Sequence, residues 1–186
     1  FLIGIFLSVI AGAAAVQATM QHYLGLGPSF AECYSKAWRR APSLIGAGIV
    51  ILLAMLGFAL LSIILVGIPL FFYFLVVWFF VPQVIMVEGT GALAALGRSR
   101  EHTKGSWWRL LGIGIIFSII VVVLYVAAFI ASGVISKLVP FAGTIPDDVM
   151  SVLITPIILI GGTVTYIDLR IRQGYSLDDM AEEMAR

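Results

Sequence analysis

The side chains that could do chemistry lie in three short segments of the sequence, residues 21–42, 88–109 and 168–186. In the second segment Glu88 precedes four basic residues, Arg98, Arg100, Lys104 and Arg109. In a functional interpretation, Glu88 is an acidic site that faces this basic cluster. In a structural interpretation, it forms an ion pair with a nearby arginine. We favour the structural interpretation because buried or interfacial charges are normally paired.

The third segment begins with a second candidate ion pair. Asp168 and Arg172 are four residues apart, which is the spacing of an ion pair along a helix. Basic residues beside an apolar run also attract anionic lipid headgroups. The sequence therefore predicts structural ion pairs at Glu88 and Asp168, and lipid-headgroup contacts at eight basic residues, Arg39, Arg40, Arg98, Arg100, Lys104, Arg109, Arg170 and Arg172.

The residue types that bind metals or act as nucleophiles are rare and scattered. His22 and His102 are the only histidines, and Cys33 is the only cysteine. Without acidic partners at ligand spacing these residues do not predict a metal site. No nucleophile with a neighbouring base, phosphate-binding loop or dinucleotide fingerprint is present. We expect no catalytic residue, no metal and no cofactor.

The elements that position these side chains follow from the composition. The chain has 186 residues, of which 61% are hydrophobic and 11% charged, whereas soluble domains have about 45–50% and about 25%. No charged residue occurs in residues 1–31, 41–87, 110–136 or 149–167. A helix needs roughly 20 mostly apolar residues to cross a bilayer. The pattern predicts an all-α, polytopic transmembrane helical bundle and excludes a soluble enzyme, a disordered chain and a nucleic-acid binder.

The apolar runs divide into five predicted crossings. The run 41–87 is too long for one helix across a core of about 30 Å, and Gly67 and Pro69 supply a turn near its middle. The crossings are predicted at about 1–20, 43–65, 69–87, 109–136 and 149–167, within a transmembrane domain 1–167. Residues 168–186 form a tail with a short amphipathic helix. The chain starts inside an apolar run, so we expect a missing N-terminal part that supplies a sixth crossing.

The distribution of basic residues predicts the orientation. Five alternating crossings place every Lys and Arg except Lys137 on one side. Basic loops face the cytoplasm. We therefore expect a multi-pass protein of the cell (cytoplasmic) membrane with its C-terminus in the cytoplasm.

Amphipathic segments precede two of the crossings. The segments Ser29–Arg40 and Thr90–Lys104 have apolar residues at helical spacing, which is typical of helices that lie in the membrane interface. Each segment leads into a similar sequence, Leu44–Val50 or Leu110–Ile116, which favours an internal duplication over chance similarity. In the tail, Ser176 and Asp179 match a capping box. The acidic helix that follows either folds back on the basic segments, which we favour, or binds a partner.

The motifs resemble a known membrane family. Val87-Glu88-Gly89, the stretch Ala92–Ser99, Gly105-Ser106-Trp107-Trp108-Arg109 and the closing Tyr166, Asp168, Leu169, Arg170 and Arg172 are similar to the membrane domain attached to some glycerophosphodiester phosphodiesterases. They are also similar to uncharacterised multi-span bacterial and archaeal proteins. The resemblance covers roughly residues 29–186. It implies a six-crossing membrane domain without catalytic residues, because the phosphodiesterase activity belongs to a separate soluble domain.

The predicted function follows from the absence of charge within the crossings. Ion-coupled transporters place ionisable groups inside the bilayer, and here the deepest polar side chains are Gln17 and Gln83. We therefore expect a non-enzymatic scaffold or anchoring module that contacts anionic lipid and a partner. That partner is a cytoplasmic protein or a second copy, not nucleic acid. The alternative is an uncoupled transporter or lipid-handling component.

Overall fold

A computed structural model describes residues 2–65, 67–138 and 145–185, and all regular structure within these residues is helical. The α-helices are α1 (Leu2–Tyr23), α2 (Phe30–Leu61), α3 (Gly67–Val77), α4 (Val81–Glu88), α5 (Ala92–Thr103), α6 (Trp107–Leu138), α7 (Ile145–Arg172) and α8 (Leu177–Ala185), with a 3-10 helix at Ser62–Ile64. The predicted all-helical class is confirmed.

Four stretches of the described residues are long and apolar enough to cross a membrane: Phe30–Leu61, Gly67–Glu88, Trp107–Val134 and Ile154–Arg172. They overlap the second to fifth predicted crossings, with different bounds. The helix at the first predicted crossing, α1, is not among the four, so the count of five stays a prediction. Part of the loop predicted on the opposite side of the membrane, residues 139–144, lies outside the described residues.

The chain forms two compact units. The first comprises Phe1–Trp107 and Ile160–Arg186, and the second comprises Trp108–Leu159. In the first unit, α4 packs against α1, α2, α5 and α8, and Val84, Ile85, Met86 and Val87 are fully buried. A helix whose side chains are mostly apolar all round is stable when protein surrounds it. This explains why so short a helix lies at the centre of the unit.

The predicted interfacial helix Ser29–Arg40 is not a separate element. Helix α2 runs without a break from Phe30 to Leu61 and contains Pro42. Its buried residues are Cys33, Ala37, Ala41, Leu44 and Ala47. They recur every three or four residues, so one face of the helix packs on the protein from its first turn to its middle. This continuous contact keeps the amphipathic segment in line with the crossing.

The second amphipathic segment is a separate helix, but it packs on protein. Helix α5 buries five residues, Ala95, Leu96, Ser99, His102 and Thr103. Ser99 donates its hydroxyl to the Val77 carbonyl at 2.6 Å. The buried face of α5 therefore contacts neighbouring helices, while Leu93 is exposed.

The two similar sequences that predicted a duplication are both helical. The first copy lies in α2, where a Cβ atom on Gly46 would be 3.3 Å from the Ala92 Cβ atom. The second copy lies in α6, where Gly112 and Gly114 have open space around them. The copies share a conformation but not an environment, and the duplication stays a prediction.

The turn between α2 and α3 depends on a close approach of two backbone segments. A Cβ atom on Gly67 would overlap backbone atoms of Phe58, Leu61 and Ser62. Leu65 has a φ angle of 59°, and Phe58 stacks on Phe74 with ring centroids 5.0 Å apart. The break between the two helices lies before Gly67, whereas the sequence predicted that Gly67 and Pro69 would form the turn; both residues lie in the first turn of α3. Glycine is required at position 67 because of the close backbone contacts there.

Replacement of Gly67 tests this close approach. We expect Gly67→Ala to lower the free energy of unfolding by about 1–3 kcal/mol, because the methyl group meets backbone that cannot move away locally. The matched control is Gly57→Ala in α2, where the added Cβ has open space and alanine is favoured in a helix by about 1 kcal/mol. The measurement is thermal unfolding in detergent, and equal midpoints for the two variants would contradict the interpretation.

Candidate functional site

A buried carboxylate, that of Glu88 at the end of α4, collects donors from two other helices. Its Oε1 atom accepts from Arg170 Nη1 at 2.8 Å, from His102 Nε2 at 2.5 Å and from Tyr166 OH at 3.0 Å. Its Oε2 atom accepts from Arg98 Nε at 2.7 Å. The Glu88 side chain is only 6% exposed. These five residues form the Glu88 cluster, in which four donors replace the water that the carboxylate lost.

The spacing of the donors along their helices explains how they converge. Arg98 and His102 are four residues apart on α5, and Tyr166 and Arg170 are four residues apart on α7. Residues at this spacing lie on one face of a helix, so each helix offers two donors to the same point. The hydrogen bond with Glu88 also raises the pKa of Arg98, which keeps that guanidinium charged.

The turn that follows Glu88 allows α5 to approach it. Gly89 ends α4 with a φ angle of 72°, a left-handed conformation that glycine adopts without strain. A Cβ atom at Gly89 would also be 2.5 Å from Arg40 Nη1. Arg40 donates from this nitrogen to the Ile85 carbonyl at 3.0 Å. The glycine therefore lets the chain turn and lets a guanidinium from α2 rest against it.

The second nitrogen of His102 contacts Gln173. The Gln173 amide nitrogen donates to the His102 carbonyl at 2.6 Å, and Gln173 Oε1 lies 2.9 Å from His102 Nδ1. With the amide fixed in this direction, each ring nitrogen faces an acceptor oxygen. The ring is thereby held between Glu88 and the residue that follows α7.

Arg170 connects Glu88 to a second carboxylate. Its side chain is 0% exposed, and its Nη2 atom donates to Glu183 Oε2 at 2.7 Å. The guanidinium carbon lies 3.8 Å from the centroid of the Tyr175 ring. The prediction that Arg170 contacts lipid headgroups is wrong, because two carboxylates and an aromatic ring enclose its charge.

Helix α8 folds back within the first unit and packs against α4; folding back on the chain was the outcome that we favoured from the sequence. The predicted capping box is confirmed, because Ser176 and Asp179 exchange hydrogen bonds of 2.8 and 3.1 Å. The bonds from the Ser176 backbone and hydroxyl lower the pKa of Asp179. Met180 and Met184 are buried, and Lys36 Nζ donates to the Met184 carbonyl. The acidic tail therefore folds back on basic residues of α2 and α7.

The other predicted lipid contacts are in varied environments. Arg39, Arg100 and Lys104 are exposed in the first unit, and Arg109 is exposed in the second. Arg40 and Arg98 are partly buried, and each has the protein partner described above. Arg172 donates to Asp168 at 3.1 Å, with side chains 59% and 42% exposed. The structure therefore has ion pairs at both predicted positions, one buried and one at the surface.

Three members of the site were missed by sequence reasoning. His102 was considered only as a metal ligand, and neither Gln173 nor Tyr175 was singled out. The position of His102 four residues after Arg98 was the available signal, because it places both on the same face of α5. Among the residues that the structure describes, no group of His, Cys, Asp and Glu could hold a metal ion.

Replacement of Glu88 and of Asp168 compares how much a buried ion pair and a surface ion pair contribute to stability. We expect Glu88→Gln to destabilise the protein by about 3–5 kcal/mol, because it leaves buried cations without their counter-charge. The matched control, Asp168→Asn, removes an exposed pair and costs about 0–1 kcal/mol. The measurement is chemical or thermal unfolding in detergent. A Glu88→Gln protein as stable as Asp168→Asn would contradict the assigned role of the cluster.

Comparison with protein-family models, with curated proteins and with solved structures finds no match for this chain. The resemblance to the phosphodiesterase-associated membrane family therefore stays an expectation from the motifs.

Proposed function

We propose that this protein is a non-enzymatic integral membrane protein that acts as a scaffold or anchoring module and contacts anionic lipid and a partner protein. The observation that carries the proposal is that Glu88 has a structural role. Both of its carboxylate oxygens accept hydrogen bonds from the chain's own side chains. The strongest candidate for acid–base chemistry therefore fixes α4, α5 and α7 in place, and through Arg170 it also fixes α8.

In this proposal the chain crosses the cell membrane five times and its basic end faces the cytoplasm. The contact between Lys36 and Met184, and that between Arg40 and Ile85, support a common side for the basic segments. Three exposed cations at this end, Arg39, Arg100 and Lys104, contact anionic headgroups.

The partner protein contacts the exposed face of α8. Asp178 and Glu182 are exposed there. An anionic membrane surface repels such a face, whereas a basic protein surface attracts it. The lipid and the partner thus bind to different charges at the same end of the protein.

A second candidate function, an uncoupled transporter or lipid-handling component, is favoured by two buried amides. Gln17 is 1% exposed and Gln83 is 3% exposed. Within the described part of the chain, both amide atoms of Gln17 and the Oε1 atom of Gln83 have no hydrogen-bond partner. An unsatisfied buried polar group costs about 1–3 kcal/mol, and the headgroup of a lipid that passed these amides would satisfy them.

Labelling of introduced cysteines tests the topology. In a Cys33→Ser background, we expect Arg39→Cys and Arg100→Cys to react with a membrane-impermeant maleimide from the same side, the cytoplasmic side of the cell membrane. Both positions are exposed, so the protein itself does not shield the introduced cysteines from the reagent. Labelling of the two positions from opposite sides would exclude the proposed arrangement.

Reconstitution separates the two candidate functions. We expect the protein in vesicles of phosphatidylcholine and phosphatidylglycerol to retain phosphatidylglycerol preferentially when it is extracted and analysed by native mass spectrometry. We also expect lipid scrambling and solute leakage at the rate of protein-free vesicles. Loss of preference for the anionic lipid would refute the anchoring proposal, and scrambling or leakage above the control would support the second candidate.

A further inference from the structure

A basic pocket opens at the same end of the first unit as the Glu88 cluster. Its volume is about 540 Å³, and it is lined by Glu32, Lys36, Arg39, Arg40, Ser43, Gly89 and Met184. Five of these residues lie on α2 at intervals of one to four positions, so they form one stripe of that helix. The turn after α4 and the end of α8 supply the remaining walls. Pockets that bind small molecules have volumes of about 300–1,000 Å³.

The charges of the lining favour an anion. Three cations and one carboxylate line the pocket, so positive charge is in excess even with Glu32 ionised. Arg39 is exposed and has no hydrogen bond or ion pair within the part of the chain that the structure describes. Its charge is therefore available to a ligand.

The arrangement of the donors favours a phosphate group. Arg40 is held by the Ile85 carbonyl and rests against Gly89, so its guanidinium is ordered before a ligand arrives. A fixed guanidinium fork binds phosphate oxygens in pairs, and a lysine adds a point charge. Ser43 contributes a hydroxyl in the same stripe. The pocket therefore offers the guanidinium of Arg39, the donors of Arg40 and Lys36 that do not bond to the Ile85 and Met184 carbonyls, and the hydroxyl of Ser43.

The surroundings of the pocket favour a lipid as the source of the phosphate. Helix α2 continues directly from the pocket into an apolar stretch that is long enough to cross a membrane. Trp38, next to Arg39, is exposed, and tryptophan is enriched at the depth of lipid headgroups. If the phosphate of a lipid lies at that depth, it is beside the pocket. The acyl chains of the same lipid then lie along the exposed apolar face of α2.

We infer that this pocket binds the phosphate of an anionic phospholipid headgroup between Lys36, Arg39 and Arg40. The inference deepens the proposed function, on which it rests, by assigning the lipid contact to one built site. It also gives α8 a second role, because Met184 forms one wall and Lys36 donates to its carbonyl.

Titration of the 186-residue chain in detergent tests the pocket. The lipid probe is dihexanoyl phosphatidic acid, and the free-headgroup probe is glycerol 3-phosphate. We expect saturable binding of the lipid probe by calorimetry, with Arg39→Gln weakening it about tenfold or more, because a hydrogen bond to a charged group is lost. Arg39→Lys should restore part of the affinity through its charge.

The comparison variant is Arg100→Gln, which removes another exposed arginine of the same end that does not line the pocket. We expect Arg100→Gln to weaken binding of the lipid probe at least threefold less than Arg39→Gln does, because a surface charge outside the pocket acts only through screened attraction. Thermal midpoints equal to that of the unchanged protein establish that both variants fold. Equal weakening by Arg39→Gln and Arg100→Gln, or binding without saturation, would overturn the inference.

The two probes and the vesicle experiment separate the remaining outcomes. Binding of the lipid probe alone supports a lipid ligand, and equal binding of glycerol 3-phosphate supports a phosphate site but overturns the lipid source. If phosphatidylglycerol is retained in vesicles while both arginine variants behave alike, the pocket is wrong and the anchoring function stands. If retention itself is absent, the anchoring function fails whatever the pocket binds.

Discussion

The structure of the first unit depends on one buried carboxylate. A charge removed from water is tolerated only when donors replace its hydration, and Glu88 obtains them from α5 and α7. The requirement runs in both directions, because the buried Arg170 needs an anion as much as Glu88 needs a cation. The ends of three helices are therefore fixed relative to one another by electrostatics, and apolar packing around α4 completes the arrangement.

The same contacts shape the basic pocket. Arg170 holds Glu183 of α8, and α8 forms one wall of the pocket through Met184. The turn after Glu88 forms another wall at Gly89. The residues of the Glu88 cluster therefore do not line the pocket. They position two of its three walls, the turn at Gly89 and the end of α8. This separation of a saturated structural centre from an open basic surface is the main feature of the unit.

Much of the fold could be predicted from the sequence, because charge-free runs and helix-breaking residues determine where helices form and end through short-range effects. The split near Gly67, the capping box at Ser176 and the pairing of Glu88 all follow from short-range rules. The continuity of α2 through Pro42 could not be predicted, since it depends on tertiary contacts along one face. The burial of Arg170 was missed for a similar reason, because its partner Glu183 lies 13 residues away on a helix that folds back.

The balance of charge at this end favours an anionic ligand over a cationic one. Glu88 accepts from Arg98, His102 and Arg170, so its two oxygens have little capacity left for an added cation. The pocket has the opposite property, since three cations and one carboxylate line it and Arg39 has no ion pair within the described residues. A ligand gains most where it meets unneutralised charge that the fold already holds in place, because the cost of ordering those groups was met on folding. At this end of the protein that condition is met at the arginines of α2, which is where we propose that the phosphate of an anionic lipid binds.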